Sequence, residues 1–217
     1  MHFTSYEKTV ITEAFKDTLM LLFTTGGLVL IFGLFIGLVL YFTETSETRK
    51  GYVAHKTFGV VIDIFRSIPF IILMIILIPF TVLIMNTMLG PKAAIPALVL
   101  SAGPFYGRII YNALKEIPKG HIEAIKAMGA NRTTFIVLLI KESLPSLIAG
   151  FTVTMVSLVG FIAAAGAVGA GGLGDLARRR ALTMDYDMMY VSVVLLLVIV
   201  LFIQIIGDYA VKKIDKR

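Results

Sequence analysis

Five apolar stretches, each close to the length that crosses a bilayer, occupy most of this chain. They run over roughly 18–42, 60–85, 93–114, 144–165 and 188–206. A hydrocarbon core of ~30 Å is spanned by about twenty helical residues. Charged residues make up 16% of the 217-residue chain, where a soluble domain carries about 25%. The expectation is an all-α integral membrane protein of about five transmembrane helices, forming a single domain over 1–217.

The same composition excludes several classes. There is no cysteine, hence no disulfide framework and no cysteine-based metal site. His2, His55 and His121 fall in separate polar regions, and no Ser-His-Asp or metal-ligand spacing appears. No catalytic, metal or cofactor residue is therefore expected. The run GYVAHKT over 51–57 lacks the glycine before lysine that a phosphate loop needs. GAGGLG over 169–174 matches a dinucleotide fingerprint in letters only, because a membrane helix precedes it instead of a strand. The net charge of +6 is explained by basic residues at span ends, so no nucleic-acid partner is expected. The first fifteen residues lack the pattern of a signal peptide. Few ionisable groups lie deep in the spans, which argues against a proton relay.

Within the spans, glycines and prolines are the informative positions. Residues 7–16 are mildly amphipathic and suggest an interfacial segment before the first span. Gly33 and Gly37, four apart, suit close helix packing. Pro69 and Pro79 should break the second span, where Asp63 and Arg66 are spaced to pair. Ser101-Ala102-Gly103-Pro104 suggests a discontinuity in the third span. The glycine-rich run 166–174 suggests a turn and a close-packed re-entry, followed by a polar stretch with Arg178, Arg179 and Arg180. Ser101, Met155 and Ser157 are positioned to line a translocation path, with helix packing as the alternative role.

The segment 118–145 is neither polar tail nor uninterrupted span. Pro118 suits a helix start. Lys119, Glu123 and Lys126 share one face, Ile122, Ile125 and Met128 a second, and Ala124 and Ala127 a small-residue third. Gly129 should end this helix and Asn131 cap the next, giving two short helices joined by a sharp turn. Such a helix can rest on lipid headgroups or receive another protein.

Glu123-Ala-Ile-Lys-Ala-Met-Gly129, with Leu144-Pro145 downstream, resembles the EAA loop of permease subunits in ATP-binding-cassette importers. Two departures are Ile125 in place of alanine and a Leu-Pro pair a few residues further from the glycine. RSIPFIIL over 66–73 is similar to a segment of amino-acid importer permeases, and the glycine-rich run to one in methionine uptake permeases. The resemblance covers nearly the whole chain and implies a type I importer permease core, with a coupling helix region over about 118–132. It implies that Glu123, Ala124, Ala127, Met128, Gly129 and Ala130 meet a cytoplasmic ATP-binding subunit. The implied partners are two copies of that subunit, a second permease copy in a homodimer, an extracytoplasmic substrate-binding protein and membrane lipid. The implied activity is import of methionine (D- or L-) by alternating access, with ATP hydrolysed elsewhere. Another polar amino acid or small solute, or an ion-coupled carrier or channel, are the alternatives.

Charge asymmetry gives an orientation. With the C-terminus inside, one set of loops holds Arg49, Lys50, Lys56, Lys115, Lys119, Lys126, Arg132, Lys141, Lys212, Lys213, Lys216 and Arg217. The other holds Lys8, Lys16, Lys92 and the arginine triplet. The bias favours an outside N-terminus and a cytoplasmic 118–132 region, and the resemblance implies a bacterial or archaeal cell membrane. The triplet runs against the rule.

Overall fold

The computed structural model describes residues 4–46 and 48–215; His2, Lys216 and Arg217 lie outside the described residues. Among the described residues there are nine helices and no strand: α1 (Ser5–Glu44), α2 (Arg49–Ser67), α3 (Phe70–Ile76), α4 (Ile78–Met85), α5 (Pro91–Lys115), α6 (Lys119–Ala127), α7 (Arg132–Gly166), α8 (Gly172–Leu182) and α9 (Tyr186–Ile214). Four of them, α1, α5, α7 and α9, are each long and apolar enough to cross a membrane. The α2–α3 pair, bent by 105°, is long and apolar enough when taken together, as a broken span or a re-entrant loop, giving four to five candidate crossings. The all-α, about-five-span expectation holds.

Helix α1 starts in a capping box. The Glu7 N–H donates to the Thr4 hydroxyl, and the Thr4 N–H donates to the Glu7 carboxylate at 2.7 Å. The interfacial segment expected over 7–16 is not separate. No glycine or proline interrupts the chain before residue 26, so it continues straight into the span. The resulting 40-residue helix is ~60 Å long at 1.5 Å per residue.

Helix α1 packs on α5 through reciprocal small residues. A β-carbon on Gly33 would stand 2.6 Å from the Tyr106 ring, and one on Gly37 2.5 Å from Ile110. In return, Gly103 faces the Phe32 ring and Gly107 faces Ile36. Backbones that approach this closely gain dispersion contacts, which in lipid replace the hydrophobic driving force.

The second span breaks as its prolines require. Pro69 precedes α3, and Pro79 occupies the first turn of α4, where its missing N–H costs nothing. The third span does not break. Helix α5 runs unbroken through Pro96 and Pro104, correcting the discontinuity expected at 101–104. Pro104 is buried next to Gly103, which packs on Phe32 of α1, so neighbouring helices hold α5 through the lost bond.

The second half of the 118–145 segment also differs from expectation. Instead of a short helix, α7 is a single 35-residue helix that includes Leu144 and Pro145. Pro145 lacks the N–H that would bond the carbonyl of Lys141, an exposed residue. The polar stretch after the glycine-rich run is a helix, α8, which the sequence reading leaves unassigned. The core gathers Leu21, Leu98, Ile110, Leu158 and Ile162, each almost fully buried. Helix α9 keeps Leu197, Leu201, Phe202 and Ile205 exposed, an outer face that only lipid or another chain can cover.

Candidate functional site

Helix α6 stands outside the apolar spans, between the ends of α5 and α7. The Pro118 carbonyl accepts from His121 N–H at 3.0 Å, which opens the helix at the expected place. Gly129 follows its end at φ +72°, the left-handed region where a β-carbon would be strained. The Asn131 side chain then accepts from Thr134 N–H at 2.8 Å and caps α7. Proline start, glycine stop and asparagine cap all fall where the sequence puts them.

The faces of α6 divide as its periodicity requires for the isoleucines and alanines, but Met128, grouped by spacing with Ile122 and Ile125, lies past the last helical residue Ala127 and is exposed. Ala124, Ala127, Met128 and Gly129 are exposed, with Met128 at 74%, and Ala130 is half-buried. Ile122 and Ile125 turn partly inward, and Ile122 packs against the core. Glu123 is exposed and, with Lys119, lines a cavity at the end of α1. The tie between α6 and the spans is polar: the His121 Nδ1–H donates to the Glu142 carboxylate of α7 at 3.1 Å. A small, exposed, partly apolar face on a helix fixed to a long span suits a protein partner that pushes on it.

A belt of polar contacts joins α1, α2 and α5 at this end of the bundle. Tyr111 Oη donates to Glu44 at 2.8 Å, and Lys115 Nζ donates to the same carboxylate at 2.8 Å. The His55 ring N–H donates to the Leu40 carbonyl at 3.1 Å. Asp63 pairs with Arg66 at 3.4 Å, as the spacing predicts, and also with Arg108 at 3.9 Å. The Arg108 guanidinium lies 5.0 Å from the Tyr111 ring centre, a cation–π distance.

Of the three residues expected from position to line a path, Ser101 is half-buried on α5. Met155 packs on Gly26 of α1 and lines an apolar groove between α1, α7 and α9. Ser157 donates its hydroxyl to the Val153 carbonyl of its own helix at 3.0 Å. Among the described residues, no cluster of three or more metal-ligating side chains occurs.

At the opposite end, the glycine-rich run forms the tight re-entry expected of it. A β-carbon on Gly166 would strike the Asp175 backbone, and one on Gly174 the Ala163 backbone. Only glycine permits this α7–α8 approach. The arginine triplet is absorbed locally. Arg178 and Arg179 pair with the nearly buried Asp175 at 3.3 and 2.7 Å, and Arg180 pairs with Asp185, the α9 cap, at 3.1 Å. The i, i+3 and i, i+4 spacing from Asp175 was the available sign of a helix here.

The family model described as the binding-protein-dependent transport system inner membrane component matches residues 30–217. The chain belongs to this family. Among relatives of this transport component, the methionine import system permease protein MetP of Bacillus subtilis is 43% identical over 181 residues, covering 82% of each chain. The probable D-methionine transport system permease protein MetI of Haemophilus influenzae is 41% identical over 216 residues, covering 96% of this chain and 99% of its own. A chain of the inward-facing MetNI methionine ABC transporter, in its native CY5 crystal form, superposes with a TM-score of 0.94. It is 37% identical and covers 99% of this chain and 100% of its own. The chain is thus a membrane-spanning permease subunit of an ATP-binding-cassette importer.

Proposed function

We propose that this permease imports methionine as one of two identical copies, driven by two ATP-binding subunits and supplied by an extracytoplasmic binding protein. The observation that carries the reading is the 0.94 superposition, over nearly the full length, on a chain of a methionine transporter. The relatives named for methionine, at about 40% identity, support the same substrate. In this reading residues 1–217 act as one domain, and the chain hydrolyses no ATP itself. The N-terminus is outside and the C-terminus cytoplasmic, in a bacterial or archaeal cell membrane, which the charge bias of the loops supports.

Glu123, Ala124, Ala127, Met128, Gly129 and Ala130 then form the contact with the ATPase. Closure of the ATPase pair on ATP moves α6. Because α6 is joined to α7 by a glycine turn and the His121–Glu142 bond, that motion passes into a membrane span. The two bundles swing from inward-open to outward-open, receive methionine, and reset on hydrolysis. Ser101, Met155 and Ser157 remain the proposed path residues. The test is uptake of labelled methionine by liposomes holding the permease, the ATPase and the binding protein. An excess of unlabelled methionine should abolish the signal and other polar amino acids should not; the reverse pattern overturns the substrate.

A further inference from the structure

One face of α5 carries polar side chains into the apolar level of the bundle. Ser101, Phe105, Arg108 and Asn112 recur on that face at helical spacing. The first three are half-buried and Asn112 is exposed. The other sides of α5 are taken. Gly103 and Gly107 meet Phe32 and Ile36 of α1, and Ile109 meets Gly150 of α7. Leu100 and Pro104 share a small apolar cavity with Ile62 and Phe65 of α2. The contact of Gly107 with Ile36 fixes the depth. Ile36 stands about six residues, or ~9 Å, inside the end of the apolar stretch 18–42. Arg108 therefore leaves its helix within the apolar level, not at its edge.

Two arginines meet one acid here. Arg66 and Arg108 share Asp63, at 3.4 and 3.9 Å, and the Arg66 guanidinium lies 5.9 Å from the Phe105 ring centre. The group keeps one positive charge in excess. The side chains of Arg66 and Arg108 remain 33% and 30% exposed. Charge held against lipid or in a dry protein contact is costly. Lipid leaves the excess unanswered, and a second copy packed dry on this face adds the same excess again. Water and an anion answer it. The backbone agrees. The 105° bend between α2 and α3 follows directly after Arg66, and helices broken at membrane depth line a polar cavity or pack on protein.

We propose that this face of α5 lines the translocation path and that Arg108, beside Asp63 and Arg66, holds the carboxylate of the amino acid in transit. The inference rests on the proposed import of an amino acid. A guanidinium matches a carboxylate in shape and charge. At 3.9 Å the Arg108–Asp63 contact is longer than a charged hydrogen bond, so the guanidinium has donors for a second carboxylate.

The chain has no native cysteine, so single cysteines report access to water. The complex with its ATP-binding subunits, free of nucleotide and held in lipid nanodiscs, is treated with anionic and cationic methanethiosulfonates. Each rate is divided by that for free cysteine. Ser101→Cys and Asn112→Cys should react, and Leu201→Cys, on the exposed apolar face of α9, should not. At Ser101→Cys the anionic reagent should be favoured about tenfold, the low end for a charged cleft. Arg108→Gln should remove that preference and Arg108→Lys should keep it. Methionine at saturating concentration should slow the labelling of Ser101→Cys, and methioninamide, which lacks the carboxylate, should not. Native helix content and melting temperature in Arg108→Gln exclude simple misfolding. The inference is overturned by no reaction at Ser101→Cys, by equal reaction at Leu201→Cys, by an unchanged reagent preference in Arg108→Gln, or by equal slowing with the amide. If another amino acid slows the labelling and methionine does not, the inference stands and the substrate of the proposed function falls.

Discussion

Leu173 donates its backbone N–H to the Thr18 hydroxyl across 2.8 Å, although 155 positions separate them in the chain. The N-cap of α8 is Gly171, which has no side chain to offer. Helix α1 supplies the missing cap from outside, while Thr18 donates to the Ala14 carbonyl at 2.9 Å. Both ends of this contact are buried. Thr18→Val keeps the shape and orphans a buried N–H, which costs about 1–3 kcal/mol. Thermal unfolding in one detergent should show that loss for Thr18→Val and little change for Thr18→Ser.

The α7–α8 approach sets a second expectation. Backbone faces backbone at Gly166 and Gly174, so no side-chain rearrangement can make room. Gly174→Ala should cost at least ~1–3 kcal/mol of overpacking and sharply reduce the yield of folded protein. Gly160→Ala is the control, because a β-carbon there meets nothing within 4 Å. Fluorescence-detected size exclusion of the two variants separates these outcomes.

In the proposed reading, the turn after α6 carries force from the ATPase into α7. Gly129 sits at φ +72°, which proline, fixed near −65°, does not adopt. Gly129→Pro should reduce transport to background while the protein still inserts in the membrane. Glu123→Lys should do the same by reversing a charge at the partner surface. Normal uptake with normal ATPase association in both variants would count against the role given to α6.

Much of this end of the bundle was legible in the sequence because its signals are local. Pro118, Gly129 and Asn131 each act within one turn, and Asp63 needs only Arg66 three residues on. What was not legible depends on distant neighbours. Pro104 looks like a break until α1 is seen packed along α5. Helix α8 looks like a loop because its first residues are glycines and its cap arrives from Thr18. Pro145 looks like an end, yet α7 passes through it. The Glu44–Tyr111–Lys115 contacts join residues up to 71 positions apart, and no local pattern announces them.

Orientation is open to direct labelling, since the chain has no native cysteine. Leu182 is 73% exposed at the end of α8, and Lys50 is exposed at the start of α2. An impermeant maleimide should label Leu182→Cys in intact cells and Lys50→Cys only after permeabilisation. The opposite pattern would place α6 outside, away from any ATP-binding subunit.

The account rests on this permease being driven through α6 by a separate ATPase. The direct measurement is methionine uptake into liposomes with the permease and binding protein, with and without the ATP-binding subunit and ATP. Uptake should appear only when the ATPase and ATP are both present, and should vanish with Gly129→Pro. Uptake by the permease without the ATPase, or unchanged uptake by Gly129→Pro, would contradict it.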